Sequence, residues 1–269
     1  MEGLKSRAVA LVVCIALIFV GWFGGNAIQN MGDELITAQA AGVKSNAVVM
    51  KAGDQEITAA QYLYWLTSTC DELYYYGASD MSIAVAEGMT AGDYAKKQAD
   101  NYAAQYAAVK LLAEEQGITL TESQKAQLNE TAEYFKQYYG SEEIYNYMML
   151  YCGLNEDLLA LNSEVPFLYA NLCDKLLGEG GALEPTEENL QAFAERHQYT
   201  DLNDETLLVY YQDTEYGAAY DYVSDTINNL EMEKTETYDA IDVAAFYSAL
   251  QTAREALPKP DVSSDSAED

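Results

Sequence analysis

One histidine stands among 269 residues, which excludes any mechanism that needs a pair of imidazoles. Lys and Arg number 14 against 44 Asp and Glu, a net charge of −30. Recognition of a phosphate backbone needs clustered cations, so nucleic-acid binding is excluded as well. Four prolines rule out a proline-rich linker protein. Four cysteines without a CxxC pair give no thiolate metal site. Cys70, Cys152 and Cys173 are read as buried and unpaired, with one bridge and one free thiol as the alternative. No metal ligand set, cofactor motif or catalytic residue emerges from the spacing.

What is present is an apolar share of 49%, enough for a folded core despite the charge, and an unusual load of 23 tyrosines. Lys5 and Arg7 precede the one long apolar run, Ala8 to Phe23, and no charge returns until Asp33. Carried on to Ile28, the run has about the ~20 residues that span a bilayer as a helix. Basic residues ahead of it predict a single-pass anchor in the cell membrane with the bulk of the chain outside the cytoplasm. The alternative is a signal peptide cleaved near Ala40, where Ala38-Gln39-Ala40 has the small-x-small form. Beyond residue 40 the chain carries 12 basic and 41 acidic residues, so anionic lipid heads repel it.

Residues 29–45 are small and polar and read as a tether. From Ala47 to Ile57 a short strand, a turn at Gly53-Asp54 and a return strand are expected. Thr58 with Gln61 forms a capping box, and Tyr62, Trp65, Leu66, Thr69 and Leu73 give the following helix one apolar face as far as Gly77. Thr90 with Asp93 opens a second helix, striped by Ala95, Ala99, Tyr102, Tyr106, Val109 and Leu112. Gly117 ends it, and Thr121 with Gln124 opens a third that stops at Gly140. Ser141 caps a short helix to Cys152. Asn155 caps a long one to Leu177 with Pro166 inside, and Pro185-Thr186-Glu187-Glu188 starts another that ends near His197. Two more helices are expected over 214–232 and 235–256, then a disordered acidic tail, 259–269.

The order of these elements resembles a known family. A tether, then Val48, Val49, Gly53, Ile57, Thr58, Gln61 and Tyr62, then antiparallel helices, is similar to the N-terminal module of SurA- and PrsA-type extracytoplasmic chaperones. Glu114-Glu115-Gln116-Gly117-Ile118-Thr119-Leu120-Thr121 and Pro185-Thr186-Glu187-Glu188 are similar to later stretches of that family. The resemblance covers roughly residues 46–198. It implies a mainly α fold: an N-terminal transmembrane helix (1–28), the tether (29–45), a SurA N-terminal-like helical chaperone domain with a small β-hairpin (46–198), and helices over 199–258 packed on that domain. It also implies an ATP-independent holdase for unfolded or nascent secreted and envelope polypeptides. The family's appended parvulin domain opens with a His-Ile-Leu-type strand and uses two His. Arg196-His197-Gln198-Tyr199-Thr200-Asp201 offers neither, so isomerase activity from a diverged domain at 199–258 is the alternative, and a non-catalytic envelope adaptor is a third.

Tyrosine buries a ring while keeping its hydroxyl wet, and methionine adapts to varied shapes. Tyr74-Tyr75-Tyr76, Tyr134 with Tyr138-Tyr139, and Tyr145-Tyr147-Met148-Met149-Tyr151 place such side chains on several helix faces, where they either fill a core or receive clients. The residues expected to receive clients are Tyr62, Trp65, Leu66, Tyr102, Tyr106, Tyr138, Tyr139, Met148, Met149 and Tyr151. His197 is expected to cap a helix end. Asp201-x-Asn203-Asp204-Glu205 lacks the glycine and closing glutamate of a calcium loop and reads as a solvated acidic turn.

Overall fold

The computed structural model describes residues 34–260. The expected anchor over 1–28 and the tail from residue 261 lie outside them. Among the described residues the fold is mainly helical with two small sheets. No helix there is long and apolar enough to cross a membrane.

A short helix α1 (Ile36–Ala41) leads into strands β1 (Val48–Ala52) and β2 (Gln55–Thr58), which pair antiparallel with Met50 opposite Ile57. Gly53, at φ +57°, makes the turn between them. Helix α2 (Ala59–Tyr75) follows at once, with the Thr58 hydroxyl accepting from Gln61 N and the Gln61 side chain accepting from Thr58 N. A ribbon of β3 (Ala84–Ala86) and β4 (Met89–Thr90) joins it to α3 (Ala91–Glu115), capped reciprocally by Thr90 and Asp93. Then come α4 (Glu122–Tyr139), α5 (Glu142–Cys152), α6 (Glu156–Leu177), α7 (Glu187–Arg196), α8 (Asp204–Tyr211) and α9 (Ala218–Asn229). Strand β5 (Glu233–Lys234) returns to the free edge of β1, setting Lys234 opposite Met50 and completing the order β2-β1-β5. Helices α10 (Glu236–Asp239) and α11 (Val243–Glu255) close the described chain.

Three apolar clusters hold these elements. The largest joins Ile36, Val49, Ile57, Tyr62, Leu63 and Leu66 to Ile241, Phe246, Tyr247 and Leu250. Its floor is a stripe of fully buried alanines on α3, namely Ala91, Ala95, Ala99 and Ala103. Four-residue spacing stacks these small side chains on one face, which lets neighbouring helices approach closely. The second cluster packs Val109 and Leu112 of α3 against Leu168, Leu172 and Leu176 of α6 and Val223 of α9. The third gathers Phe193, Tyr211 and Ala218 from α7, α8 and the start of α9.

Several expectations need correction. The tether foreseen over 29–45 gives way, from residue 34, to a helix that buries Ile36, Thr37 and Ala38 against α11 and α5. Gly153 ends α5 at φ +67°, and a side chain there would overlap Thr37, so α1 is seated closely on that helix end. The helix foreseen over 235–256 is two, broken at Ala240–Asp242, where the Asp242 carboxylate caps α11. The helix foreseen over 214–232 shortens to 218–229. Within residues 199–258, β5 and α11 complete the first cluster itself. The capping boxes at Thr58, Thr90 and Thr121 and the caps at Ser141, Asn155 and Thr186 form as the sequence indicates.

Candidate functional site

The residues expected to receive clients separate into two groups. Tyr62, Leu66 and Tyr106 are buried in the first cluster, touched by the protein's own side chains on every side. They are removed from the candidate surface, since a guest would have to displace native packing to reach them. Trp65 lies half-buried with its ring 5.7 Å from that of Tyr106. Tyr102 and Tyr138 are about half exposed, at 45% and 49%. Tyr139, Met148, Met149 and Tyr151 are half-buried. Tyr102 of α3, Tyr139 of α4 and Cys152 of α5 all come within electrostatic reach of the buried Tyr64 hydroxyl of α2.

Helix α4 is the unusual element. It has eighteen residues and none is buried, although it packs on α5 and α6. Its last two turns carry Tyr134, Phe135, Tyr138 and Tyr139, whose rings touch only one another in edge-on and stacked pairs among the aromatic contacts described. Gln124 and Asn171 of α6 bond side chain to side chain at 2.8 and 2.9 Å, fixing the start of the helix while its aromatic end stays open.

Three polar knots were invisible as sites in the sequence. In the first, the Arg254 guanidinium, only 4% exposed, donates both Nη atoms to the two Asp71 oxygens at 2.6 and 2.9 Å and its Nε to the Tyr151 carbonyl at 2.8 Å. The Tyr151 ring stacks 4.1 Å from the guanidinium, and the Tyr247 hydroxyl donates to Asp71. Burial pulls the Arg254 pKa down, but the hydrogen bonds and charge of Asp71 outweigh it and hold the arginine above its ordinary value. In the second knot, Asp100 accepts from Tyr62, Lys234 and Tyr238. The ammonium groups of Lys96 and Lys234 sit 4.1 and 4.2 Å from the Tyr238 ring centroid. Burial draws Lys96 below the usual lysine range. Both knots tie α10–α11 to α2 and α3, and every charge in them is answered from within the chain. They read as clasps rather than reaction centres.

The third knot contains the single histidine. His197 stands at the C-cap of α7, where its backbone N–H donates to the Phe193 carbonyl, and its Nε2 lies 2.7 Å from the Asp221 carboxylate of α9. Arg196 reaches Asp221 at 3.2 Å and grips Asp225 with two bonds. The imidazole stacks on Tyr199, its ring centroid 5.5 Å away, and its side-chain partner is a carboxylate rather than a hydroxyl or thiol. Asn203 caps α8 and Asp204 and Glu205 occupy its first turn, so the acidic segment at 201–205 serves a helix start. Among the described residues no cluster of His, Cys, Asp or Glu has the form of a metal site. Cys70, Cys152 and Cys173 are buried free thiols. Burial pushes Cys152 up to about 12 and Cys173 up to about 11, away from nucleophilic reactivity.

No family model matches this chain. Neither does any curated protein or any solved structure. The likeness to SurA- and PrsA-type chaperones therefore stands on the sequence motifs alone.

Proposed function

We propose that this protein is an ATP-independent holdase for unfolded secreted or envelope polypeptides, held at the outer side of the cell membrane by the apolar segment at residues 8–28. The observation that supports this reading is helix α4, an eighteen-residue helix with no buried side chain that ends in four exposed or half-exposed aromatic rings. The client surface in this reading is the aromatic end of α4, with Tyr102, Met148 and Met149 beside it on α3 and α5. Covering half of one tyrosine ring removes on the order of 100 Å² from water, worth about 2 kcal/mol. A few such contacts hold an unfolded segment and still release it.

The test is light scattering of a reduced, unfolded model protein in the presence of the full chain. Delayed aggregation at equimolar protein is expected, with Tyr134→Ser plus Tyr138→Ser shortening the delay at least twofold while leaving the fold intact by circular dichroism. No delay at equimolar protein overturns the proposal. Acceleration of proline-limited refolding at substoichiometric protein would favour the isomerase alternative instead, and recovery of one stoichiometric partner would favour the adaptor.

A further inference from the structure

The connection between α2 and α3 builds a second surface with a chemistry of its own. Helix α2 closes at Gly77, where Ala78 N donates to the Leu73 carbonyl, and Ala78 and Met81 tuck beneath the connection as buried anchors. Gly92 N donates to the Met81 carbonyl and Ala91 N to the Ile83 carbonyl, which fixes the ribbon to the start of α3. What these anchors hold up is apolar and open. Tyr75 and Tyr76 are 82% and 77% exposed with their ring centroids 5.4 Å apart, and Tyr74, Ile83, Val85, Tyr94 and Tyr102 of the same stretch are exposed too. These seven make up half of the fourteen large apolar side chains exposed on the described residues. Strand β3 has all three residues exposed and pairs on one side only, leaving a backbone edge free.

The charge here is of one sign. Residues 52–95 contain no lysine or arginine and seven acidic residues. Asp71 is occupied by buried Arg254. Among the described residues no cation lies within ion-pair distance of Glu72, Asp80, Glu87 or Asp93. Glu72 is within electrostatic reach of the Tyr102 hydroxyl. Hydrogen bonds from Ser82 and Thr90 hold Asp80 and Asp93 below the usual carboxylate range, so both stay charged. Lys96 and Lys97 mark the border, and the Lys96 ammonium is turned inward to the Tyr238 and Ile241 carbonyls. Exposed tyrosine rings on a stretch whose Glu72 and Glu87 lack an ion-pair partner attract cations twice, by charge and by the ring quadrupole. The protein applies the same chemistry internally, with Lys96, Lys136, Lys234 and Arg254 each set over a tyrosine ring.

We propose that the pole formed by the end of α2, the β3–β4 ribbon and the first turns of α3 is a docking surface for an extended polypeptide segment that alternates lysine or arginine with apolar side chains. The cationic side chains lie on Tyr75, Tyr76 and Tyr102 within reach of Glu72 and Glu87. The apolar ones cover Ile83 and Val85, and the backbone has the free edge of β3 to pair with. This surface shares Tyr102 with the client surface proposed above; Tyr75, Tyr76, Glu72 and Glu87, on which its test rests, lie outside that surface.

The test is fluorescence anisotropy with the full chain in neutral detergent. The probes are a fluorescein-labelled peptide alternating Lys and Leu and its mate with Glu in place of Lys. The Lys–Leu peptide is expected to bind at least tenfold more tightly, with affinity falling as salt rises. Tyr75→Ser with Tyr76→Ser is expected to weaken it about five- to tenfold, because two exposed cation–ring contacts are lost. Glu72→Gln with Glu87→Gln is expected to weaken it and flatten the salt dependence. Both pairs are solvent-exposed and should leave the urea midpoint in place. Equal affinity for the two peptides, or unchanged affinity in both variants, overturns the proposal. So does transfer of the Tyr75/Tyr76 effect to co-sedimentation with phosphatidylcholine vesicles, or to self-association of the chain.

Discussion

Helices α2 and α4 begin in the same way and end in different environments. Each starts with a threonine whose hydroxyl accepts from the backbone of a glutamine three residues on, and each glutamine side chain reaches back to the threonine N–H. They are of similar length, seventeen and eighteen residues. Yet α2 buries nine side chains, Tyr62, Leu63 and Leu66 among them, and α4 buries none. The cap decides where a helix begins. What surrounds the helix is decided by segments distant in the chain, since α2 is enclosed by β1, α3 and a C-terminal helix that arrives some 180 residues later, as the Asp71–Arg254 bond records. Helix α4 packs mainly on its sequence neighbours α5 and α6.

The sharpest way to break this contrast is to remove the distant partner. Arg254→Ala leaves the half-buried Asp71 without its cation and empties a buried site, and should cost about 3 kcal/mol in urea unfolding. Lys125→Ala, which severs the exposed Lys125–Glu122 pair on α4, should leave the midpoint unchanged. Equal effects would mean that α4 belongs to the cooperative core after all. Next, Leu66→Ala should cost about 2–5 kcal/mol and Leu128→Ala less than about 1 kcal/mol, because only the first opens a cavity.

A smaller effect sharpens the contrast through pH. The Cys152 and Cys173 pKa values are raised by burial, so folding favours the protonated thiol. An unfolded chain sheds these protons from about pH 8.5. Their contribution to stability is therefore whole below that pH and is lost as pH climbs through about 11 to 12. The urea midpoint should fall between pH 8 and pH 10, and iodoacetamide should label none of Cys70, Cys152 and Cys173 in the native protein at pH 8. The smallest effect concerns the caps. Thr58→Ala and Thr121→Ala each remove about 1 kcal/mol of local helix stability. Thr58→Ala should lower global stability, whereas Thr121→Ala should speed amide exchange in α4 alone.

Much of the helical layout was legible because its signals are local: a threonine or serine before the first turn and a glycine after the last, as at Thr90, Ser141, Gly140 and Gly153. The hairpin at Val48–Thr58 was legible by its turn. Helix α1 was missed because Thr37-Ala38-Gln39-Ala40-Ala41 is short and weakly apolar, and only packing makes it helical. Strand β5 has two residues, too few for any pattern. Helix α8, Leu207-Leu208-Val209-Tyr210-Tyr211, is continuously apolar and shows no period. Of the candidate client residues, Tyr62 and Tyr106 were placed on the correct inward face, but the sequence could not reveal that Phe246 and Leu250 return to seal the same cluster. Tyr102, read as part of the α3 stripe, rides on its flank, since the buried stripe follows Ala95, Ala99 and Ala103 at four-residue steps.

Strand β5 and helix α11 supply one edge of the sheet and one wall of the first core, and they are made late in synthesis. A growing chain that has emerged only as far as α9 can assemble α2 and α3 side by side but cannot close them, so greasy surface waits for its own C-terminal lid. Premature termination before Phe246 should thus yield a sticky, proteolysed product rather than a smaller folded protein, and the molecule would itself require shelter during its own birth.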